Sequence, residues 1–388
     1  MKPTMFAQVL QLLPKQIIQK SIAEKNGDKH CKGFDSYDHF ISMLYCQIAG
    51  ASSLSEICDG LRSYRGHLSH MGVKHAPPKS TLAYANQKRD WKIFANIFEH
   101  TLSHFRHNLK MKGVKAGRLR VKNPIKIMDA SIISVALSVM DWAQYQRQKG
   151  ALKLHMMLDG HDLFPEKAWI TDGKAHDLEF AREQTFDENT IIVVDRGYND
   201  YSLYEKWNNW GCFFITRMKS NARYTVLERH KIPQGKSKRI ISDELIRLEG
   251  TCFTARKITF YDDEKDEIIT ILTNNTSLAA STIGSIYIHR WQIEIFFRDL
   301  KQHFRIKSFV GTSPNAVLIQ IWTALLGILI MKYMKLVSTF DWSMSRLITN
   351  FRMNLLSMKD LFEWLHCPFS SLPAPPGTQQ PTLPGLTF

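Results

Sequence analysis

Asp195 closes a run of β-branched residues, Ile191, Ile192, Val193 and Val194, and is followed by Arg196, Gly197 and Tyr198. Such a run, apolar on both faces, reads as a strand buried in the middle of a sheet. An ionised carboxylate at the end of that strand is costly unless something pairs with it, and the carboxyl ends of strands in open α/β sheets are where sites are built. The plainer reading is a cap for the helix that begins near Tyr201, but Asn199 and Asp200 are better placed for that. Asp129 follows the apolar segment 125–128 in the same style. Alone it says little; paired with Asp195 from a neighbouring strand it makes a hard-oxygen environment suited to Mg2+.

A third carboxylate lies on a predicted helix over residues 282–304. At 100° per residue, Tyr287, Arg290, Glu294 and Lys301 fall within about 60° of one another. Ile286, Ile293, Phe296, Phe297, Leu300 and Phe304 form an apolar stripe roughly 90° away. The helix can therefore bury one face on a sheet and present a second face with one carboxylate and three groups suited to phosphate. A surface helix with an i,i+4 Arg–Glu pair, worth a few tenths of a kcal/mol, is the bland alternative. It leaves unexplained why the charged face adjoins the buried stripe instead of opposing it. His155 and His176 could act as general bases, yet a lone His beside a strand is more often structural, and both are set aside.

The spacing Tyr287-x2-Arg290-x3-Glu294-x6-Lys301 resembles the Tyr–Arg–Glu–Lys signature of bacterial insertion-sequence transposases of the insertion-sequence-four family. The surrounding string YIHRWQIEIFFRDLKQHF is similar to that family's segment throughout. The aspartates of IMDAS and VVDRGY match its pattern, with 65 residues between Asp129 and Asp195 and 98 between Asp195 and Glu294. The resemblance spans residues 30–340. It implies an α/β, ribonuclease-H-like mixed sheet with flanking helices and a β-rich insertion before the glutamate. It implies an enzyme that binds the terminal inverted repeats of its insertion sequence and carries out cut-and-paste DNA cleavage and strand transfer. Asp129, Asp195 and Glu294 would be the catalytic metal ligands for two Mg2+ ions, with Mn2+ able to substitute. Tyr287, Arg290 and Lys301 would hold phosphates and place the DNA end. The partners implied are double-stranded DNA, as terminal repeats and as target, and a second copy of the chain in the synaptic complex. Relatives stack a Trp of the insertion on a flipped base; residues 221–275 contain no Trp, so Phe253, Phe260 or Tyr261 would have to serve.

The elements that must position these groups follow from the same patterns. Residues 1–105 are predicted to be a helical, DNA-binding amino-terminal domain, with one helix over 53–62. Pro77, Pro78, Lys79 and Ser80 then stop the chain and supply an N-cap for a helix over 81–89. Two short helices ending in Lys88 and Arg89 suit a helix-turn-helix-like DNA reader, as they suit any small helical bundle. Residues 106–123 form a basic linker. Between Thr101 and Met128 there are eight Lys or Arg and no acid: Arg106, Lys110, Lys112, Lys115, Arg118, Arg120, Lys122 and Lys126. Lacking balancing acids, the stretch is expected to track phosphates.

Strand texture begins at Pro124, with strands expected over 125–128, 132–137, 151–158, 167–171, 191–194 and 212–216, and helices over 178–184 and 201–210. Strands first, then alternation with helices, suggests a mixed sheet. The catalytic core then has two parts, 124–220 and 276–345, separated by a β-rich insertion over 221–275. Residues 217–239 carry eight basic side chains against the single acid Glu228. Residues 346–388 are expected to hold a carboxy-terminal helix and a disordered tail rich in Pro, Ser, Thr and Gln.

The bulk numbers agree with this picture. With 51 Lys and Arg against 36 Asp and Glu, the formal charge of +15 attracts polyanions. An anionic membrane would need a basic amphipathic helix beside an apolar anchor. The longest apolar run, 316–331, is broken by Gln320 and Thr323 and falls short of the about 20 residues of a spanning helix. Ser313 and Pro314 before it make a good helix start, so a buried core helix is expected. The amino-terminal stretch lacks a signal-peptide core, and the six cysteines show no zinc spacing. A cytoplasmic, nucleoid-associated protein with no membrane partner is expected. Two rivals remain: a stand-alone nuclease on the same fold, which would not need Tyr287, Arg290 and Lys301, and a catalytically inactive DNA-binding relative, which would not need the carboxylates.

Overall fold

The computed structural model describes residues 2–29, 31, 33–64, 66–113, 119, 121–135, 144–146, 149–232 and 239–369. Its organising element is one mixed sheet. In chain order the strands are β1 (Ile125–Val135), β2 (Gln144–Gln146), β3 (Lys149–Asp159), β4 (Pro165–Asp172), β5 (Ile191–Val193), β6 (Phe213–Arg217), β7 (Tyr224–Arg229), β8 (Ile240–Leu248), β9 (Thr254–Asp262) and β10 (Glu267–Thr273). Across the sheet they run β2-β3-β1-β5-β6-β10-β9-β8-β7, with β4 paired to β3. β3 is antiparallel to both of its neighbours β1 and β4, whereas β1, β5 and β6 are parallel. That is a ribonuclease-H-like arrangement, with α7 (Asp177–Glu183) and α8 (Tyr201–Asn209) on the connections between β4 and β6.

Two expectations change here. β1 is one strand as far as residue 135, so Asp129 lies inside it and not at its end. The reason is that β1 outruns its parallel partner: β5 pairs only with residues 125–127, while β3 carries β1 onward from Lys126 to Val135. The expected insertion also does not fold apart from the core. β10 pairs with β6 and the hairpins β7–β8 and β9–β10 continue the same sheet outward.

Alternate residues of the central strands feed two cores, one on each face of the sheet. Ile125, Ile127, Ile191 and Val193 join the larger core, and Met128, Ile192 and Val194 the smaller. The larger core is built on α11 (Pro314–Val337), whose N-cap Ser313 accepts from the Ala316 N–H and whose first turn holds Pro314. α11 is long and apolar enough to cross a membrane, but 83% of its apolar window is buried inside the fold. Each buried Leu or Ile on it contributes about 1.5–3 kcal/mol. Gln320, which broke the apolar run, is fully buried. It donates to the carbonyls of Arg305 and Ser308 and accepts from the Val310 N–H, and so satisfies the loop that precedes α11.

The amino-terminal helices share this core. α1 (Met5–Gln11), α2 (Lys15–Glu24), α3 (Ser36–Ala49), α4 (Leu54–Ser63), α5 (Lys79–Lys88) and α6 (Lys92–Met111) contribute to one apolar cluster that runs from Met5 to Leu365. α12 (Met344–Met353) and α13 (Leu361–His366) close it, with the backbone N–H groups of Met5 and Phe6 donating to the carbonyls of Ser357 and Leu355. α4 begins after Ser53, whose hydroxyl accepts from the Glu56 N–H. α5 instead starts at Lys79, with Pro78 before it and no side-chain cap, so Ser80 sits inside the first turn.

The basic linker is only partly a free strap. Arg106 lies within α6 and pairs with Glu166 (2.7 Å), and Lys126 pairs with Glu166 (2.6 Å) and Asp159 (3.1 Å). Balancing acids exist after all, supplied by the facing ends of β3 and β4. Lys110, Lys112 and Lys122 are exposed. Lys115, Arg118 and Arg120, like the tail over 370–388, lie outside the described residues.

Candidate active site

The parallel register places the two aspartates side by side. Ile125 stands opposite Ile191 and Ile127 opposite Val193. Two residues beyond Ile127 and Val193 come Asp129 and Asp195, near enough that the Asp195 charge helps to push the Asp129 carboxyl up. Each carboxylate is held by a local backbone donor. The Ala130 N–H donates to Asp129 Oδ1 at 2.8 Å. The Gly197 N–H donates to Asp195 Oδ1 at 2.8 Å, so that Asp195 caps the 3₁₀ turn over Arg196–Tyr198. Asp200 caps α8, so the helix cap near Tyr201 falls to that residue and not to Asp195.

Glu294 reaches the same face from above. The expected helix is divided into α9 (Ala280–His289) and α10 (Trp291–His303) with Arg290 between them. At the joint the hydrogen bonds tighten to i→i+3, Arg290 N–H to Tyr287 carbonyl and Ile293 N–H to Arg290 carbonyl. The apolar stripe is buried as its spacing requires: Ile286, Ile293, Phe296, Phe297, Leu300 and Phe304 all enter the larger core, against which α10 covers β1. His289 Nε2 lies 2.9 Å from the Gly160 carbonyl and fastens the joint to the β3–β4 turn.

Arg290 ties the face together. Its Nη2 donates to Glu294 Oε1 at 2.6 Å and its Nη1 lies 3.5 Å from Asp129 Oδ2. The guanidinium also stands over the Tyr287 ring, 5.7 Å from its centroid, a cation–π placement. Burial raises the Tyr287 hydroxyl above its ordinary range. Tyr287 therefore supports Arg290 from within the fold. Lys301 lies two turns beyond Glu294 on α10, half-buried, with its ammonium lowered by burial and by Lys307 beside it. Among the described residues no acid pairs with Lys301.

The charge balance of the face is negative. Burial pushes the Asp129 carboxyl up to about 7, with Asp195 and Glu294 pushing the same way and Arg290 and the Ala130 N–H opposing. One guanidinium is therefore too little for three carboxylates in a partly dry site, and hard divalent cations suit such a donor set. Among the described residues, however, no three carboxylate, His or Cys groups are drawn together closely enough to hold an ion as they stand. The geometry brings Asp129 and Asp195 together and joins Glu294 to Asp129 through Arg290.

Other residues change role. His155 is fully buried, 2.9 Å from the Thr171 hydroxyl, and burial lowers it to about 4, so it is a neutral core group. His176 caps α7. Phe253 and Phe260 pack in the two cores and neither is free to stack on DNA; the Tyr261 hydroxyl donates to Asp266. Gly197 was overlooked in the sequence, although a glycine two residues after a strand-end Asp is the signal: a Cβ there would meet Asp195 Oδ1 at 2.9 Å. Trp291, 41% exposed beside Arg290, has the Lys265 ammonium 3.7 Å from its ring centroid; its place next to the signature arginine could have singled it out.

Acids and cations interleaved on one face of a basic chain define, as a class, a protein that handles polyanionic phosphodiesters. Residues 121–330 match the family described as the transposase DDE domain, and residues 1–74 match a second family described as a domain of unknown function. The chain belongs to the DDE transposases, enzymes of DNA cleavage and strand transfer. It is 28% identical over 259 residues to a protein of Sinorhizobium fredii named as a transposase, covering 65% of this chain and 70% of that one. It is 26% identical over 227 residues to a protein of Geobacillus stearothermophilus named as a transposase for an insertion sequence element, covering 56% of this chain and 58% of that one. A cryo-EM structure of the piggyBac transposase synaptic complex with hairpin DNA aligns over 96% of this chain and 86% of that one, at 13% identity and a TM-score of 0.47.

Proposed function

We propose that Asp129, Asp195 and Glu294 are the catalytic carboxylates of this transposase and that they act on the terminal inverted repeats of its insertion sequence. The observation that carries the assignment is the shared register of β1 and β5, which sets Asp129 and Asp195 side by side beneath the helix bearing Glu294. The three would hold divalent ions, Mg2+ or Mn2+, which when bound activate the attacking water or 3′-hydroxyl and stabilise the departing oxygen. The side chains do the rest. The backbone donors at Ala130 and Gly197 fix the two aspartates, and the core packing of α10 fixes the glutamate. Arg290 and Lys301 supply charge-assisted contacts to phosphate and Tyr287 braces Arg290, which turns binding into positioning. Lys110, Lys112 and Lys122, all exposed, would track the DNA backbone, and the amino-terminal helices would contribute to end recognition. Two copies of the chain would meet in the synaptic complex, in the cytoplasm and on the nucleoid.

The test is single-turnover cleavage of a terminal-repeat substrate with Mg2+, alongside DNA binding by electrophoretic shift. Asp129→Asn, Asp195→Asn and Glu294→Gln should each abolish cleavage and leave DNA affinity within a few-fold of wild type. A variant that still cleaves at the wild-type rate removes that residue from the assignment.

A further inference from the structure

Arg290 is placed where a phosphate-binding residue would not rest by default. Its side chain is 12% exposed and its guanidinium lies between Asp129 Oδ2 and Glu294 Oε1. These are oxygens that a divalent ion bound by the same carboxylates would need. A guanidinium pairs with carboxylate and with phosphate through the same planar fork of donors, so it can exchange one for the other without loss of geometry. The fork is also incompletely used: the buried Arg290 Nε has no hydrogen-bond partner. A buried donor left unmade is costly, and an arriving phosphate oxygen would satisfy it. The Tyr287 ring beneath the guanidinium gives the charge a supporting surface along which it can turn.

We propose that Arg290 is a built-in competitor of the metal: its guanidinium occupies the Asp129 and Glu294 oxygens in the DNA-free protein, and a DNA phosphate draws it away and opens those oxygens to divalent ions. The consequence is a linkage. DNA engagement and metal loading favour each other through Arg290, and by reciprocity metal must strengthen the hold on the DNA end. A transposase without its DNA end therefore carries a poorly loaded site, which guards against cleavage away from the repeats. The inference rests on the assignment of Asp129 and Glu294 as metal ligands.

The readout is Mn2+ binding, followed by the loss of the free-ion signal in electron paramagnetic resonance, with no cleavage involved. Without DNA, Arg290→Gln should bind Mn2+ about tenfold more tightly than wild type, equivalent to about 1.4 kcal/mol. The gain should vanish in Asp129→Asn/Arg290→Gln. Adding a duplex oligonucleotide should raise the Mn2+ affinity of wild type by a larger factor than that of Arg290→Gln. Arg290→Lys, whose ammonium cannot bridge both oxygens, should fall between the two and serves if Arg290→Gln does not fold. Unchanged or weaker Mn2+ binding in Arg290→Gln, while Asp129→Asn still abolishes it, overturns the competition and leaves the ligands intact. An equal DNA effect in both proteins overturns the release by phosphate. If Asp129→Asn and Glu294→Gln leave Mn2+ binding untouched, the ligand assignment itself falls.

Discussion

Replacing Gly197 by Ala isolates the placement of one carboxylate from the stability of the fold. The new Cβ would lie 2.9 Å from Asp195 Oδ1 and 3.6 Å from Oδ2. The first distance is too short, and the atom that must give is the end of the Asp195 side chain. Gly197 is exposed, so no backbone or core group resists, and the variant should unfold within about 1 kcal/mol of wild type, as surface substitutions do. The functional cost is larger. Turning the carboxylate away breaks its 2.8 Å bond from the Gly197 N–H, an exposed contact whose loss water largely offsets in stability. It also moves an oxygen of this proposed metal ligand by a fraction of an ångström to about 1 Å, and displacements of that size cost up to about 100-fold in rate. Single-turnover cleavage at saturating Mg2+ should therefore fall by about 10- to 100-fold while thermal unfolding is nearly unchanged. Cleavage within twofold of wild type would refute the claim that Gly197 sets the Asp195 carboxylate. Loss of rate together with a large fall in Tm would refute the separation of placement from stability.

Two further outcomes follow from the same geometry. Because burial raises the Asp129 carboxyl from 3.8 to about 7, ionising it costs folded-state stability. The metal-free protein should lose stability as pH rises from about 4 to 7 and level off above, the gap of about 3 pH units setting a ceiling of about 4 kcal/mol. Asp129→Asn should therefore melt higher than wild type at pH 8 in EDTA, by less than that ceiling because Arg290 loses a partner, and by less still at pH 5; an advantage independent of pH would contradict the cause. Three residues before Asp129 on the same strand, Lys126→Met leaves Asp159 and Glu166, 18% and 12% exposed at the side chain, with Arg106 as their remaining cation. A loss of about 1–3 kcal/mol in denaturant unfolding is expected, and an unchanged midpoint would mean that solvent already screens the cluster.

What could be read in the sequence was local. The β-branched run before Asp195 announces a buried strand within four residues, and the stripe of Ile293, Phe296, Phe297 and Leu300 announces a helix within two turns. What escaped depends on partners far along the chain. The acids that neutralise Arg106 and Lys126 lie 60 and 33 residues away, so the linker looked uncompensated. β10 joins the sheet through β6 with register pairs such as Ile271 and Arg217; nothing in either strand names the other, and the intervening β-rich stretch looked like a separate body. The exposed or buried state of Arg290 was equally hidden. Its spacing marks a signature, but only the fold shows that it faces two carboxylates and that a tightened turn divides the helix there. Asp129 reads in the sequence as a strand-end residue, but the strand runs on past it; only the parallel pairing stops nearby, two residues earlier at Ile127.

The backbone bonds from Met5 and Phe6 to Ser357 and Leu355 have a consequence for the order of events during synthesis. The bonded pairs are 352 and 349 residues apart, and translation at about 5–20 residues per second separates their appearance by tens of seconds. Throughout that interval α1 and its neighbours lack the partners that complete their core, and helices of 7 to 14 residues are marginal alone. The helices around α1 thus complete their packing only after the much later segment around Leu355 and Ser357 has been made. A ribosome-bound chain would carry that helical layer unfinished, and chaperones would have a long window on it.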